Sequence, residues 1–215
     1  MSGRIHIFEQ RGTEWFAHRR GRVTGSKIAA IMAKGRGGAP SATRKTYWGE
    51  LIAERIGDYT ADSFTSAAMQ WGTDQEPAAR AMYEFTRAVT VQEVGFIDHP
   101  FIEMAGCSPD GLVGDDGMIE IKCPNTATHI DTLRGGSIDG GYMKQMQWQM
   151  ACAARAWCDF VSFDPRLAPE MQMHVTRVPA DPEMQAEITD AVALFLAEVD
   201  EGVADLRARY MAEAA

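Results

Sequence analysis

Two carboxylates and an ammonium group raise the first chemical question. Asp110 lies in the run Cys107-Ser-Pro-Asp-Gly-Leu112, and ten residues later Glu120 and Lys122 fall two apart in Met118-Ile-Glu-Ile-Lys-Cys-Pro124. On an extended strand residues i and i+2 share a face, so Glu120 and Lys122 point one way while Ile119, Ile121 and Cys123 point the other. A turn at Gly114-Asp-Asp-Gly117 folds Gly111–Val113 back on that strand as a hairpin, and the pairing can deliver Asp110 to the same face. Carboxylates held together repel, and a hard divalent cation such as Mg²⁺ relieves this with oxygen ligands at about 2.0–2.1 Å. The cation lowers the pKa of a bound water and stabilises charge on a phosphoryl oxygen, while a lysine beside it orients or helps deprotonate that water. The same spacing also fits a surface hairpin with an i, i+2 charge pair. Against that stand the apolar neighbours, because buried Glu and Lys need partners or a ligand.

Those side chains require a sheet, and the chain around them predicts one. Strand-like runs occur at Val89 to Ile97, Ile102 to Cys107, Gly111 to Val113, Met118 to Cys123, Trp157 to Phe163 and Met171 to Val178. Thr13 is placed to cap a short helix through Arg20, and Ser26 to cap another over Lys27 to Ala33. Gly35-Arg-Gly-Gly38 predicts a mobile basic loop. Helices are expected over Ala42 to Ile56, Ser66 to Thr86, Asn125 to Leu133, Tyr142 to Ala154 and Asp181 to Tyr210, with Gly202 a candidate break in the last. In the second of these, Met69, Gly72, Glu76, Ala79 and Tyr83 recur every three or four residues, so Glu76 points where the apolar side chains point. Trp48, Trp148 and Trp157 read as core residues. His6, His18, His99 and His174 show no zinc-ligand spacing and read as incidental. Strands grouped centrally among helices predict an α/β fold, a central mixed sheet covered on both faces.

With 215 residues, 46% of them apolar and 24% charged, the chain fits one soluble globular domain rather than a disordered or fibrous protein. That domain, residues 1–215, divides into a basic helical part (1–57), a catalytic core (58–178) and an acidic C-terminal helix (181–210). No apolar run is long enough to span a bilayer, and Met1 to Ile7 lack the apolar stretch of an export signal, which predicts a cytoplasmic location with no membrane contact. Four cysteines without CxxC spacing predict free thiols and no sulfur-bound metal. A net charge of −9 and a pI near 5.0 argue against a nucleic-acid partner, but the average hides a split. Residues 1–57 hold 11 Lys or Arg against four Glu, a net +7, while the remainder holds 10 against 26, a net −16. The N-terminal part can therefore face a polyanion.

Pro109-Asp110 followed by Glu120-Ile-Lys122 resembles the PD-(D/E)xK nuclease motif of restriction-endonuclease-like folds. With Trp15, Arg19, Val23-Thr-Gly-Ser26, Trp71-Gly72, Glu76, Tyr142-Met143, Gln145, Gln147 and Phe163-Asp-Pro-Arg166 in order around it, the chain more closely resembles the λ-exonuclease family of phage recombination nucleases, over roughly residues 9–178. The resemblance implies a restriction-endonuclease-like core and a Mg²⁺-dependent 5′→3′ exonuclease. Such an enzyme degrades one strand of linear double-stranded DNA to leave a 3′ overhang for strand annealing. It implies two metal ions per site, with Mn²⁺ an accepted substitute, held by Asp110, Glu120, the main-chain carbonyl of Ile121 and, directly or through water, Glu76. Lys122 then serves the attacking water and Gln145 assists beside it. Arg19, Ser26 and Ser108 match a pocket for the 5′-phosphate. Where the family has a second pocket arginine this chain has Thr128, followed by His129, which predicts a weaker phosphate preference or one met by His129. Met69 falls where an apolar wedge opens the end of the duplex, although a helix methionine is also an ordinary core residue.

The partners implied are duplex DNA ends, two further copies in a homotrimeric ring, and a single-strand annealing recombinase in the host bacterial cytoplasm. Two other readings stay open on the residues alone. One is another PD-(D/E)xK nuclease, an endonuclease or a single-strand exonuclease; the other is a non-catalytic subunit that binds DNA ends.

Overall fold

The computed structural model describes residues 2–57 and 66–211; the boundary expected at residue 58 falls in 58–65, outside the described residues. In chain order the elements are β1 (Ile5–His6), α1 (Thr13–Arg19), β2 (Val23–Thr24), a 3₁₀ turn (Gly25–Lys27), α2 (Ile28–Met32), a second 3₁₀ turn (Arg36–Gly38), α3 (Ala42–Ile56) and α4 (Ala67–Arg87). There follow β3 (Val91–Gln92), β4 (Phe96–Asp98), β5 (Ala105–Cys107), β6 (Gly111–Val113), β7 (Gly117–Lys122), α5 (Thr126–Leu133) and α6 (Gly140–Ala153). The chain ends with β8 (Trp157–Phe163), a third 3₁₀ turn (Pro169–Met171), β9 (Met173–Pro179) and α7 (Pro182–Tyr210). Among the described residues no helix is long and apolar enough to cross a membrane.

The main sheet has the order β3-β6-β7-β8-β9 and is mixed: β7 and β8 run parallel and the other neighbours antiparallel. Helices cover both faces. On one side Ile119 and Ile121 of β7 pack with Val161, Phe163 and the Ala79 and Tyr83 of α4. On the other Met118, Cys158 and Phe160 join Met146 and Trp148 of α6 and Ile188, Val192 and Phe195 of α7. The period-2 pattern of β7 therefore sends Glu120 and Lys122 to the α6 side. A second sheet, β1-β4-β5-β2, was not foreseen. It takes half of the strand expected over Val89 to Ile97. At Gly95, where a Cβ would come 2.2 Å from the Phe8 ring, the chain passes under Phe8 and changes sheets.

Caps account for most helix starts. The side chains of Ser41, Ser66, Asn125, Asp139 and Asp181 accept first-turn N–H groups of α3, α4, α5, α6 and α7. Thr13 and Ser26 do not cap: Gly12 precedes α1, and Ser26 lies inside the turn that runs on into α2. The segment expected as a mobile loop forms a 3₁₀ turn, closed by Gly35 N–H on the Ala39 carbonyl at 2.7 Å. Nor does α7 break at Gly202. A Cβ there would meet Ile52 Cδ1 at 2.5 Å and Trp48 Cζ2 at 2.7 Å, so the glycine permits the close crossing of α3 and α7. Trp148 is fully buried, whereas Trp48 and Trp157 are half-buried.

The strand expected from Ile102 begins only at Ala105, because His99 folds the intervening residues into a turn. Its Nδ1 accepts the N–H groups of Phe101 at 3.3 Å and Ile102 at 3.1 Å, and its ring stacks on Trp148 at 4.7 Å. Burial holds the imidazole pKa down to about 4 from an ordinary 6.5. The unfolded chain takes up this proton first, so stability is lost as pH falls through that window, on the order of 1–2 kcal/mol by pH 5. Urea midpoints at pH 7 and pH 5 should differ more for the wild type than for His99→Gln; equal differences would contradict the buried neutral ring.

Candidate active site

The ladder between β6 and β7 runs only as far as Gly111 opposite Ile119. One step beyond, Asp110 takes the place of a strand: its Oδ2 accepts the Ile121 N–H at 2.6 Å. A residue's N–H and C=O leave a strand on the same side, so the Ile121 carbonyl faces the Asp110 side as well. Gln10 fixes the loop that carries Asp110, its Nε2 donating to the carbonyls of Pro109 and Val94, each at 2.9 Å. Glu120 is 1% exposed and held by three donors. Lys122 Nζ and Gln145 Nε2 reach Oε1, the latter at 2.7 Å, and Gln149 Nε2 reaches Oε2 at 2.8 Å. The Lys122 ammonium also lies 4.7 Å from the Tyr142 ring centre.

Burial, reinforced by the charges of Glu120 and Glu76, pushes the Asp110 carboxyl well above its usual range; Lys122 and the Ile121 N–H offset this only in part. Burial alone would discharge Lys122, but Glu120 and Asp110 outweigh it and hold the ammonium protonated. The Lys122 ammonium thus faces two carboxyl groups, Glu120 and Asp110. The remaining donors are all oxygen, from Asp110, Glu120 and the Ile121 carbonyl, and that set fits a hard divalent cation.

Glu76 reaches the same region from α4, as its spacing predicted. Its carboxylate, however, is engaged by Arg80, one helical turn on, and by Arg11, a distant partner that the sequence did not show, each at 3.0 Å. Arg11 holds a left-handed backbone, φ 67°, in the turn before α1.

A cleft of about 1290 Å³ opens over this centre, and its wall includes Asp110, Glu120, Ile121, Lys122, Gln145, Glu76, Arg19, Ser26, Ser108, Thr128 and Met69. Ser108 Oγ accepts Trp15 Nε1 at 2.9 Å and Arg19 Nη1 at 3.2 Å, which leaves its own hydrogen to donate. Arg19 also donates to Thr24 Oγ1 at 3.3 Å and lies 4.0 Å over the Trp15 ring. Burial lowers its pKa to about 10, so the guanidinium stays charged at neutral pH, and among the described residues its hydrogen bonds go to the hydroxyls of Ser108 and Thr24. Ser26 is exposed nearby, and Thr128 sits on the first turn of α5 with its Oγ1 on Asn125 Oδ1 at 3.2 Å.

His129 does not stand in for the missing arginine. One position along α5 its ring turns into the core, where Nδ1 meets Ser162 Oγ at 2.7 Å and Nε2 the Met171 carbonyl at 2.8 Å. Met69 is 56% exposed at the start of α4, which removes the core reading. Gln147 points away from Gln145, donating to the Pro179 carbonyl at 2.8 Å and accepting from the Asp181 N–H at 2.8 Å.

Residues 14–156 match the YqaJ-like viral recombinase domain. The chain belongs to that family. YqaJ-like proteins fall in the λ-exonuclease family that the motifs resemble. The fold is similar to that of an alkaline exonuclease, LHK-Exo, from Laribacter hongkongensis, at 48% identity and a TM-score of 0.87, covering 95% of this chain and 100% of that one. A structure of LHK-Exo in complex with dAMP gives 49% identity, the same TM-score and the same coverage. A phage-related exonuclease from Haemophilus somnus 129PT shares the fold at 17% identity and a TM-score of 0.66, over 86% of this chain and 96% of that one. No functionally curated protein matches the chain.

Within this YqaJ-like site, sequence reasoning missed Gln10, Arg11, Arg80 and Gln149. Gln149 and Arg80 carried a usable signal, since they lie one helical turn from Gln145 and Glu76. Replacing Gln149 by Met removes one of the three donors that orient Glu120. Affinity for Mn²⁺, measured by titration calorimetry, should fall about 10–100-fold. An unchanged affinity in a folded variant would show that the clamp is irrelevant to cation binding.

Proposed function

We propose that the protein is a Mg²⁺-dependent 5′→3′ exonuclease that degrades one strand of linear double-stranded DNA and leaves a 3′ overhang for strand annealing. One observation carries the reading: a carboxylate centre and the Arg19–Ser108 anion pocket line one cleft. Membership of the YqaJ-like family and likeness to an alkaline exonuclease support a nuclease. Polarity is inferred from the pocket, which suits a terminal phosphate.

A divalent cation bound by Asp110, Glu120 and the Ile121 carbonyl, two ions when Glu76 also contributes, supplies Lewis-acid activation of water and stabilisation of the leaving oxygen. Lys122 and Gln145 converge on Glu120 Oε1 and are placed to orient the attacking water. Arg19 offers a planar fork to the 5′-phosphate while Ser108 and Ser26 add hydroxyl donors, and Thr128 adds a neutral one. Met69, exposed at the cleft, is the side chain available to unstack the terminal base pair. The whole chain acts as one nuclease unit, assembled as a ring of three in the host cytoplasm and passing its 3′ strand to an annealing recombinase.

End-labelled linear duplex with Mg²⁺ tests the reading. The 5′-phosphorylated strand should shorten from its 5′ end while closed circular duplex survives. Asp110→Asn should abolish cleavage yet retain end binding. Arg19→Gln should reduce the preference for 5′-phosphorylated over 5′-hydroxyl ends by about tenfold or more. Digestion of the circle, or full activity of Asp110→Asn, would falsify the assignment.

A further inference from the structure

Away from the cleft, three elements bring a second set of ligand-type side chains together. His6 of β1, His18 of α1 and Asp98 of β4 each place a ligand atom within 4.8 Å of the others, and among the described residues no other such group of three forms. His6 Nε2 lies 2.8 Å from Asp98 Oδ2, and His18 Nε2 lies 3.2 Å from Asp98 Oδ1. The two imidazole rings are 4.2 Å apart between centroids.

We propose that His6, His18 and Asp98 form a binding site for a borderline divalent metal ion, Zn²⁺ by donor chemistry, separate from the all-oxygen centre of the cleft. Two imidazole nitrogens and one carboxylate are the donor types Zn²⁺ takes, whereas the cleft offers only oxygens and suits Mg²⁺. The spacing is close to what such an ion needs. Tetrahedral bonds of about 2.0–2.1 Å put neighbouring ligand atoms roughly 3.3 Å apart, a separation that lies between the 2.8 Å contact of His6 with Asp98 and the 4.8 Å within which all three ligand atoms fall. The side chains of His6, His18 and Asp98 are 17%, 21% and 25% exposed, enough for a water to complete the fourth position. Arg22 also faces Asp98, with Nη1 at 3.5 Å from Oδ1, but the same Nη1 is anchored on the Glu103 carbonyl at 2.7 Å. Asp98 thus keeps an oxygen for the metal.

Occupancy would staple β1 and α1 to β4. His18 directly precedes Arg19, so the ion would also fix the end of the helix that carries the pocket guanidinium. The sequence hides this site because its third ligand lies 80 residues beyond the second.

The test uses metal-free full-length protein dialysed against micromolar Zn²⁺ with excess Mg²⁺ to compete at the carboxylate centre. Wild type should retain one more Zn²⁺ per chain than the His6→Gln/His18→Gln double variant, and Zn²⁺ should raise the melting temperature of the wild type only. Equal retention by the two proteins, or none by the wild type, overturns the proposal. Co²⁺ added to wild type gives a reading that does not depend on how the variant folds. The strong visible absorption of a four-coordinate site is expected, and a weak octahedral spectrum overturns it.

Discussion

The hydrogen bond from the Ile121 N–H to Asp110 is the contact around which the rest is arranged. β6 ends at Gly111, and the N–H of a buried strand beyond that point would lack a partner, at a cost of about 1–3 kcal/mol. A carboxylate supplies the acceptor, at 2.6 Å. Engaging one oxygen of Asp110 brings its negative charge up against Glu120, whose own burial is tolerable because Lys122, Gln145 and Gln149 satisfy it. The premature end of a β-ladder thus becomes a place where negative charge concentrates. Helix α6 is positioned to supply two of the three compensating donors, and Gln10 keeps the loop from moving away.

An acidic chain can present a site for a polyanion because its charges are sorted by contact rather than by sequence half. Arg44 forks onto Glu198 of α7 at 2.7 and 3.0 Å, and Arg55 meets Asp200 at 2.5 Å, so two arginines of α3 are neutralised by the acidic C-terminal helix. Arg11, Arg19, Arg20, Arg22 and Lys27 line the cleft, where Arg11 pairs with Glu76 and Lys27 with Glu50. The N-terminal excess of positive charge is therefore divided between holding α3 to α7 and shaping the electrostatics of the site.

What could be read in the sequence was what short-range periodicity controls. The alternation around Glu120 gave its strand and face, the three-and-four spacing placed Glu76 toward the cleft, and the helix expected over Ser66 to Thr86 is α4, Ala67–Arg87. Contacts between distant segments were hidden. Nothing local marks Arg11 as the partner of Glu76, or Asp98 as the meeting point of His6 and His18. His129 misled because its neighbour Thr128 does face the cleft, and one step along a helix turns a side chain by about 100°. The second sheet was missed because its strands are two or three residues long, too short to show a period.

The central claim is that the open end of β7 is a cation centre. Crystals soaked in Mn²⁺ and measured at the manganese absorption edge test it directly. Anomalous density between the carboxylates of Asp110 and Glu120, within bonding reach of the Ile121 carbonyl, is the expected result. Density at other carboxylates with none between these two would contradict it.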